Sequence, residues 1–284
     1  MDEKSLGKRL QEARQAAGLT QQQLCSKANL SFSTLTKIER GAIKSPSIFT
    51  IQSIASALGK TLDELVGSTP GGVTPVNRQL KATKSGVRFV YFDVNGCLIH
   101  FFHPAFTALG QDIAVPADVI ETAFWHLNDQ ACKGTLSLTD FNLKLAERLG
   151  VGPIDWAKYY LAAVAPIPEM QELLVWAAQN YRVGLLTNIM PGLLTELNTR
   201  GILPKVAYDS VVDSSEVGTI KPDREIFEIA QTQSGQAPEE ILFIDDSRAN
   251  VMAAEQLGWH VLWFDYARPE ESVAKVREAL QPAD

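Results

Sequence analysis

V-R-F-V-Y-F-D-V-N-G-C-L fills residues 87–98. Within it, F-V-Y-F is an unbroken apolar run that stops at Asp93, the pattern of a parallel strand covered on both faces. Similar runs stand at 182–187 (R-V-G-L-L-T), 240–245 (E-I-L-F-I-D) and 260–264 (H-V-L-W-F), with helical stretches between them. Strands alternating with helices predict an α/β fold with a doubly wound parallel sheet, whose ligand cleft lies at the carboxyl ends of the strands. Asp93, Thr187, Asn188, Asp245 and Asp246 stand at or just past such ends, so the topology brings them to one cleft.

Between Asp93 and Thr187 lie about ninety residues that such a sheet does not need. Apolar spacing predicts amphipathic helices at 117–127, 138–149 and 155–165, a helical insertion over about 101–165. His100, His103, Trp125 and Lys133 are candidates to line its underside, although each is individually more ordinary as packing or surface.

The first 67 residues follow a different rule. Leu6, Leu10, Ala13 and Ala17 recur at helix spacing until Gly18, and Thr20 caps a second helix, T-Q-Q-Q-L-C-S-K-A. A tight turn around Asn29 leads to Ser31, which caps a third helix that Gly41 ends. In that helix Leu35 and Ile38 point inward, and Ser33, Thr34 and Lys37 lie on another face. Helices at 47–58 and 62–66 complete a five-helix, all-α core. Residues 68–86, with Pro70, Gly71, Gly72 and Pro75, break all periodicity and are expected to form a flexible basic linker before a second domain at 87–284.

Charge separates along the same line. Residues 1–86 hold twelve Lys or Arg against six Asp or Glu, a net of +6, and the rest hold fourteen against twenty-seven, a net of −13. The front of the chain can approach a polyanion that the remainder would repel. The start M-D-E-K-S-L is charged and no apolar run is long enough to span a bilayer, so no membrane partner and a cytoplasmic location are expected. Cys25, Cys97 and Cys132 have no metal-type spacing, which fits reduced thiols.

From G-L-T-Q-Q-Q-L through L-T-K-I-E-R-G to I-A-S-A-L-G-K-T-L-D-E-L, the first 67 residues resemble the Cro/C1 (XRE) helix-turn-helix family. The resemblance implies that the third helix enters the major groove of a double-stranded DNA operator and that the protein is a homodimer on paired half-sites. It places Gln21 against DNA at the start of the second helix and Phe32, Ser33 and Lys37 at base edges. Thr34, Arg40 and Lys44 are then expected on phosphates. A helical bundle used for protein contacts is the competing reading, against which the polar, mildly basic third helix argues.

Residues 87–270 are similar to the haloacid dehalogenase (HAD) superfamily, a Rossmann-like core with, here, a C1-type helical cap. Its four motifs correspond in order to Asp93-Val94-Asn95-Gly96-Cys97-Leu98, to Thr187 in L-L-T-N, to Lys221 in G-T-I-K-P-D-R-E-I-F, and to Asp245-Asp246. The likeness implies Asp93 as nucleophile, with Mg2+ as cofactor held by Asp93, the Asn95 carbonyl, Asp246 and Asp245. It also implies Thr187, Asn188 and Lys221 as holders of a phosphate.

One position departs from the family pattern. Asn95 stands where the phosphatases carry the acid that protonates the leaving group, and an amide does not cycle a proton near neutral pH. The expected function is a transcription regulator whose degenerate HAD domain senses a phosphorylated small metabolite. The alternatives are an active Mg2+-dependent phosphatase of a small phosphomonoester such as a sugar phosphate, and an interaction scaffold that uses neither site.

Overall fold

Alternation explains why F-V-Y-F carries no polar residue. In the computed structural model, which describes residues 3–28, 30–41, 43, 48–58, 60 and 80–282, this run is strand β1 (Phe89–Phe92), with parallel neighbours on both sides. Val90 and Phe92 enter the core on one face of the sheet, and Phe89 and Tyr91 enter a second core on the other. Strands β2 (Arg182–Thr187), β3 (Ser210–Asp213), β4 (Ile241–Asp245) and β5 (His260–Trp263) complete a five-stranded parallel sheet of order β3-β2-β1-β4-β5. Gly184 of β2 makes room for the Tyr91 ring, since a Cβ there would stand 2.6 Å from it. The Tyr91 hydroxyl, with one proton to give, lies 2.8 Å from Ser210 Oγ and 2.7 Å from the Ala230 carbonyl.

The chain falls into two units, Met1–Thr74 and Pro75–Asp284. In the first, α1 (Glu3–Ala16), α2 (Gln21–Ala28), α3 (Phe32–Glu39) and α4 (Ile48–Leu58) bury Leu10, Leu24, Leu35, Ile38, Ile51 and Ile54 together. The expected caps form: Thr20 and Gln23 bond each other's main-chain N–H groups, and Ser31 Oγ accepts from Thr34 N. Gly18 and Gly41 both adopt positive φ just past α1 and α3. The helix expected at 62–66, the turn at Asn29 and Lys44 lie outside the described residues.

In the second unit the insertion holds four helices: α5 (His103–Ile113), α6 (Ala117–Cys132), α7 (Leu138–Leu149) and α8 (Trp156–Ala163). Helix α5 was not anticipated, and α6 runs past its expected end because Leu127, Ala131 and Cys132 continue its buried stripe. Rings of Phe102, Phe106, Phe124, Trp156 and Tyr160 pack in this cap and join the core on one face of the sheet. Helices α9 (Pro168–Asn180), α10 (Leu193–Thr199), α11 (Ser214–Val217), α12 (Arg224–Ser234), α13 (Arg248–Glu255) and α14 (Pro269–Ala279) complete the described layers. Residues 80–86, read from sequence as the end of the linker, are tied to this unit. Lys81 N donates to Asn180 O, Lys84 N donates to Gln281 O, and Thr83 bridges Pro282. Among the described residues no helix is long and apolar enough to cross a membrane.

Candidate active site and helix-turn-helix face

Three strand ends each deliver one polar group. Asp93 follows β1, Thr187 closes β2 and Asp245 closes β4. Lys221 enters from the segment between α11 and α12 and is buried. Its ammonium donates to Asp93 Oδ1 at 2.7 Å, Asp245 Oδ2 at 2.6 Å and the Leu186 carbonyl at 2.8 Å, so all three of its donors are used. Burial works against this charge, but Asp245 and Asp93 outweigh it and hold the lysine proton above its usual range.

Carboxylate oxygens of Asp93, Asp245 and Asp246 all lie within 4.8 Å of one another. Burial pushes Asp93 up to about 8 despite Lys221, with Asp245 and Asp246 adding to the effect. Burial and then Asp245 raise Asp246 to about 6. Three carboxylates around one ammonium form a site short of positive charge, and hard oxygen donors at this spacing suit a divalent cation such as Mg2+. The donors are not equivalent. Asp245 has both oxygens engaged, Oδ1 by Ser247 N at 2.7 Å and Asn250 Nδ2 at 3.1 Å, Oδ2 by Lys221 and Asn250. Asp245 thus braces Lys221, and it stands with Asp93 and Asp246 in the carboxylate set. Trp263 Nε1 donates to the Asp246 carbonyl at 2.7 Å and fixes that residue's main chain.

Gly96 adopts φ +87°, and a Cβ there would lie 2.2 Å from Asp246 Oδ2. Only glycine lets the loop after β1 pass this carboxylate. Thr187 is fully buried, and among the described residues its hydroxyl has no hydrogen-bond partner. An orphaned hydroxyl in this position is an observation that asks for a ligand oxygen. Asn188, expected on the phosphate, uses its amide otherwise: Oδ1 accepts from Lys221 N and Nδ2 donates to Lys221 O, both at 2.8 Å. It holds the lysine's main chain.

Asn95 faces the cap. Its Oδ1 accepts from the Tyr160 hydroxyl at 2.8 Å, and Nδ2 lies 3.4 Å from the Asn188 carbonyl. Burial holds the Tyr160 proton well above the ordinary phenol range. Sequence reasoning missed Tyr160 and Asn250. The second had a signal, a position on the first turn of α13 five residues after Asp245, but nothing in W-A-K-Y-Y-L-A-A tells which ring meets Asn95. His100, His103 and Trp125 line one pocket that reaches Gly96 and Asp246. Lys133 instead pairs with Asp223 at 2.9 Å.

In the first unit, Phe32, Ser33, Lys37 and Arg40 are exposed while Leu35, Ile38 and Glu39 are buried. Ser33, Lys37 and Arg40, spaced i, i+4 and i+7, form one solvent face of α3. Thr34 is half-buried and bonds Ser31 Oγ at 2.7 Å. Gln21 donates to Glu39 Oε2 at 2.7 Å, and Arg14 clasps the same carboxylate through Nε at 2.7 Å and Nη2 at 3.1 Å. Gln21, expected to contact DNA, is thus joined to the contacts that tie α1, α2 and α3 together.

Residues 10–65 match the helix-turn-helix family and residues 87–258 match the haloacid dehalogenase-like hydrolases. The immunity repressor protein of Bacillus phage phi105 is 43% identical over 63 residues, 22% of this chain and 43% of that protein. The pyrimidine 5'-nucleotidase YjjG of Escherichia coli is 28% identical over 133 residues, 44% of this chain and 58% of that protein. This chain thus spans less than two thirds of either relative's length. A HAD-like family hydrolase from Porphyromonas gingivalis superposes with a TM-score of 0.60 at 27% identity, covering 69% of this chain and 99% of that one. A HAD family enzyme from Bacteroides thetaiotaomicron, 22% identical with a TM-score of 0.53 over 64% of this chain and 96% of its own, has been solved with magnesium and inorganic phosphate. With the second match spanning more than half of its length, the chain belongs to the haloacid dehalogenase-like hydrolases and carries a helix-turn-helix domain ahead of that fold.

Proposed function

We propose that the protein is a cytoplasmic transcription regulator whose HAD domain binds a phosphorylated small molecule and turns it over poorly. One combination carries the reading: the Thr187 hydroxyl is unpartnered beside an assembled Asp93–Lys221–Asp245 group, while Asn95 occupies the acid position under Tyr160. Phosphoryl oxygens reaching Asp93 would accept from Thr187 and share the Lys221 ammonium. Asp245 holds that ammonium and Asn188 the main chain of the same lysine. Magnesium, held by Asp93, Asp246 and the main-chain carbonyl of Asn95, would neutralise the phosphoryl oxygens. Asp93 keeps the position of a nucleophile, but departure of the alcohol has no proton donor.

Adding Mg2+ at about a hundredfold excess over its dissociation constant is expected to raise the melting midpoint of the second unit by about 5–10 °C. Asp246→Asn should remove that gain, and Asp118→Asn, exposed on the cap, should keep it. Equal gains in both variants would remove magnesium from the reading.

DNA recognition is assigned to α3, with Phe32, Ser33 and Lys37 at base edges, Thr34 and Arg40 on phosphates, and a homodimer spanning two half-sites. For the ligand to regulate, it must bind the DNA-competent and incompetent forms unequally. The test uses Thr187→Val. Because the hydroxyl has no partner to lose, the variant should fold within about 1 kcal/mol of the parent. It should bind inorganic phosphate about tenfold more weakly, show a blunted ligand effect on operator affinity, and bind operator normally without ligand. Unaltered phosphate affinity, or a ligand effect of full size, would overturn the proposal.

The second reading, an active phosphatase, is favoured by the completeness of the Asp93, Lys221 and Asp246 arrangement. YjjG shows that a relative of this domain can be a nucleotidase.

A further inference from the structure

A ligand anchored at Asp93 has two directions for its organic part, and one is closed. Under the cap, Phe102, Phe124, Trp156 and Tyr160 crowd around Asn95 and leave about 20 Å3, room for about one water. The other direction leads past Gly96 and Asp246 into a pocket of about 520 Å3, within the range of about 300–1,000 Å3 usual for small-molecule sites. Asp246 belongs both to the carboxylate cluster and to the lining of this pocket, which places the pocket beside the cluster.

The pocket's walls are aromatic. Phe101 and Trp125 lie 6.3 Å apart with their planes at 20°, and His103 is 4.8 Å from Phe101. Tyr266, from the segment after β5, adds a further ring and is 66% exposed; Trp125 is 43% exposed. The Trp125 N–H donates to Glu121 at 3.2 Å, which fixes the indole edge. Large aromatic faces left in water around an apolar recess are suited to stacking on a flat ring. The polar groups of the wall, His100, His103, Asp246 and the Tyr266 hydroxyl, stand around these faces.

We propose that this pocket takes the flat ring system of a phosphomonoester of nucleoside monophosphate size, with the phosphoryl group at Asp93 and the ring between Trp125 and Tyr266. The proposal rests on the phosphoryl-binding reading of the Asp93 end given above. It replaces the sugar phosphate expected from the family likeness with a ligand whose recognition is by stacking.

The full chain with Mg2+ would be titrated calorimetrically with adenosine and uridine 5'-monophosphates, glucose 6-phosphate, inorganic phosphate and free uridine. The nucleotides are expected to bind at least about tenfold more tightly than glucose 6-phosphate. Trp125→Ala and Tyr266→Ala should each weaken nucleotide binding about tenfold and leave inorganic phosphate unchanged. Tyr266 is 66% exposed, so Tyr266→Ala should keep the parent's melting midpoint, whereas Trp125→Ala also gives up packing on Phe124 and is expected to lower it modestly. If inorganic phosphate binds but the nucleotides bind no better than glucose 6-phosphate, or neither variant alters nucleotide affinity, the pocket proposal fails and the phosphoryl reading stands. If uridine binds as well as its monophosphate and inorganic phosphate does not bind, the phosphoryl reading fails and the ring pocket stands. Absence of binding by every compound overturns both.

Discussion

Asn95→Asp is expected to raise phosphomonoester hydrolysis by about 10²- to 10⁴-fold, the usual worth of a positioned acid-base group. The reason lies in what already surrounds the position. Asp93 is held by Lys221 at 2.7 Å, where the proposed reading needs a nucleophile, and Tyr160 already donates to Oδ1 of residue 95, so a carboxylate would enter with one hydrogen bond in place. Nearby Asp93 and Asp246 and partial burial would push the new carboxyl upward, towards the range in which it can both give and take a proton near neutral pH. Release of inorganic phosphate from p-nitrophenyl phosphate and nucleoside monophosphates, at saturating Mg2+, reads the effect. Asp93→Asn in the same background should return the rate to baseline and show that the gained activity runs through this site. A parent enzyme that is already fast, with little change in Asn95→Asp, would move the phosphatase reading ahead of the sensor.

Glu39→Ala is expected to unfold the helix-turn-helix unit and leave the HAD unit folded. Glu39 is buried, and its carboxylate accepts two bonds from Arg14 and one from Gln21. Removing it strands the Arg14 guanidinium inside the unit with, among the described residues, the Leu19 carbonyl left to bond. Breaking a buried pair from one side typically costs about 3–5 kcal/mol, comparable to the whole stability of so small a core. Urea denaturation followed by far-ultraviolet dichroism should show one transition shifted and the other unmoved, with operator binding lost. An Arg14→Met, Glu39→Met double replacement should recover most of the stability, because no charge is left buried. A Glu39→Ala protein that binds operator normally would show that these contacts do not hold α1, α2 and α3 in register.

The α/β architecture was legible because a parallel sheet covered on both faces must be written in apolar runs, and the runs at β1, β2 and β4 end in Asp93, Thr187 and Asp245. Strand β3 was not visible: S-V-V-D is four residues long, lies at the sheet edge and leaves Val211 exposed, so neither length nor periodicity marks it. Helix α5 hid behind Pro104 and Gly110. Proline is compatible with a first helical turn, and Gly110 is required where a Cβ would approach the Val115 carbonyl to 2.6 Å. At the site, the residue types were readable from motif spacing but their partners were not. The assignment of Asp245 and Asn188 to bracing Lys221, and the meeting of Tyr160 with Asn95, depend on residues 24 to 65 positions apart. The Arg14–Glu39 pair, separated by 25 positions, is invisible for the same reason.

The cap and one face of the sheet share a single continuous core through Phe102, Phe124, Trp156 and Tyr160. Lifting the cap away would bring these rings into water at about 1.5–3 kcal/mol for each large side chain. Exchange through the open aromatic pocket requires no such step. Occupancy is therefore expected to equilibrate quickly, rising and falling with the ligand's present concentration and keeping no record of its past. Under the proposed function, such a regulator would work as a gauge of supply, and any persistence in the transcriptional response would have to come from the DNA complex or from elsewhere in the cell.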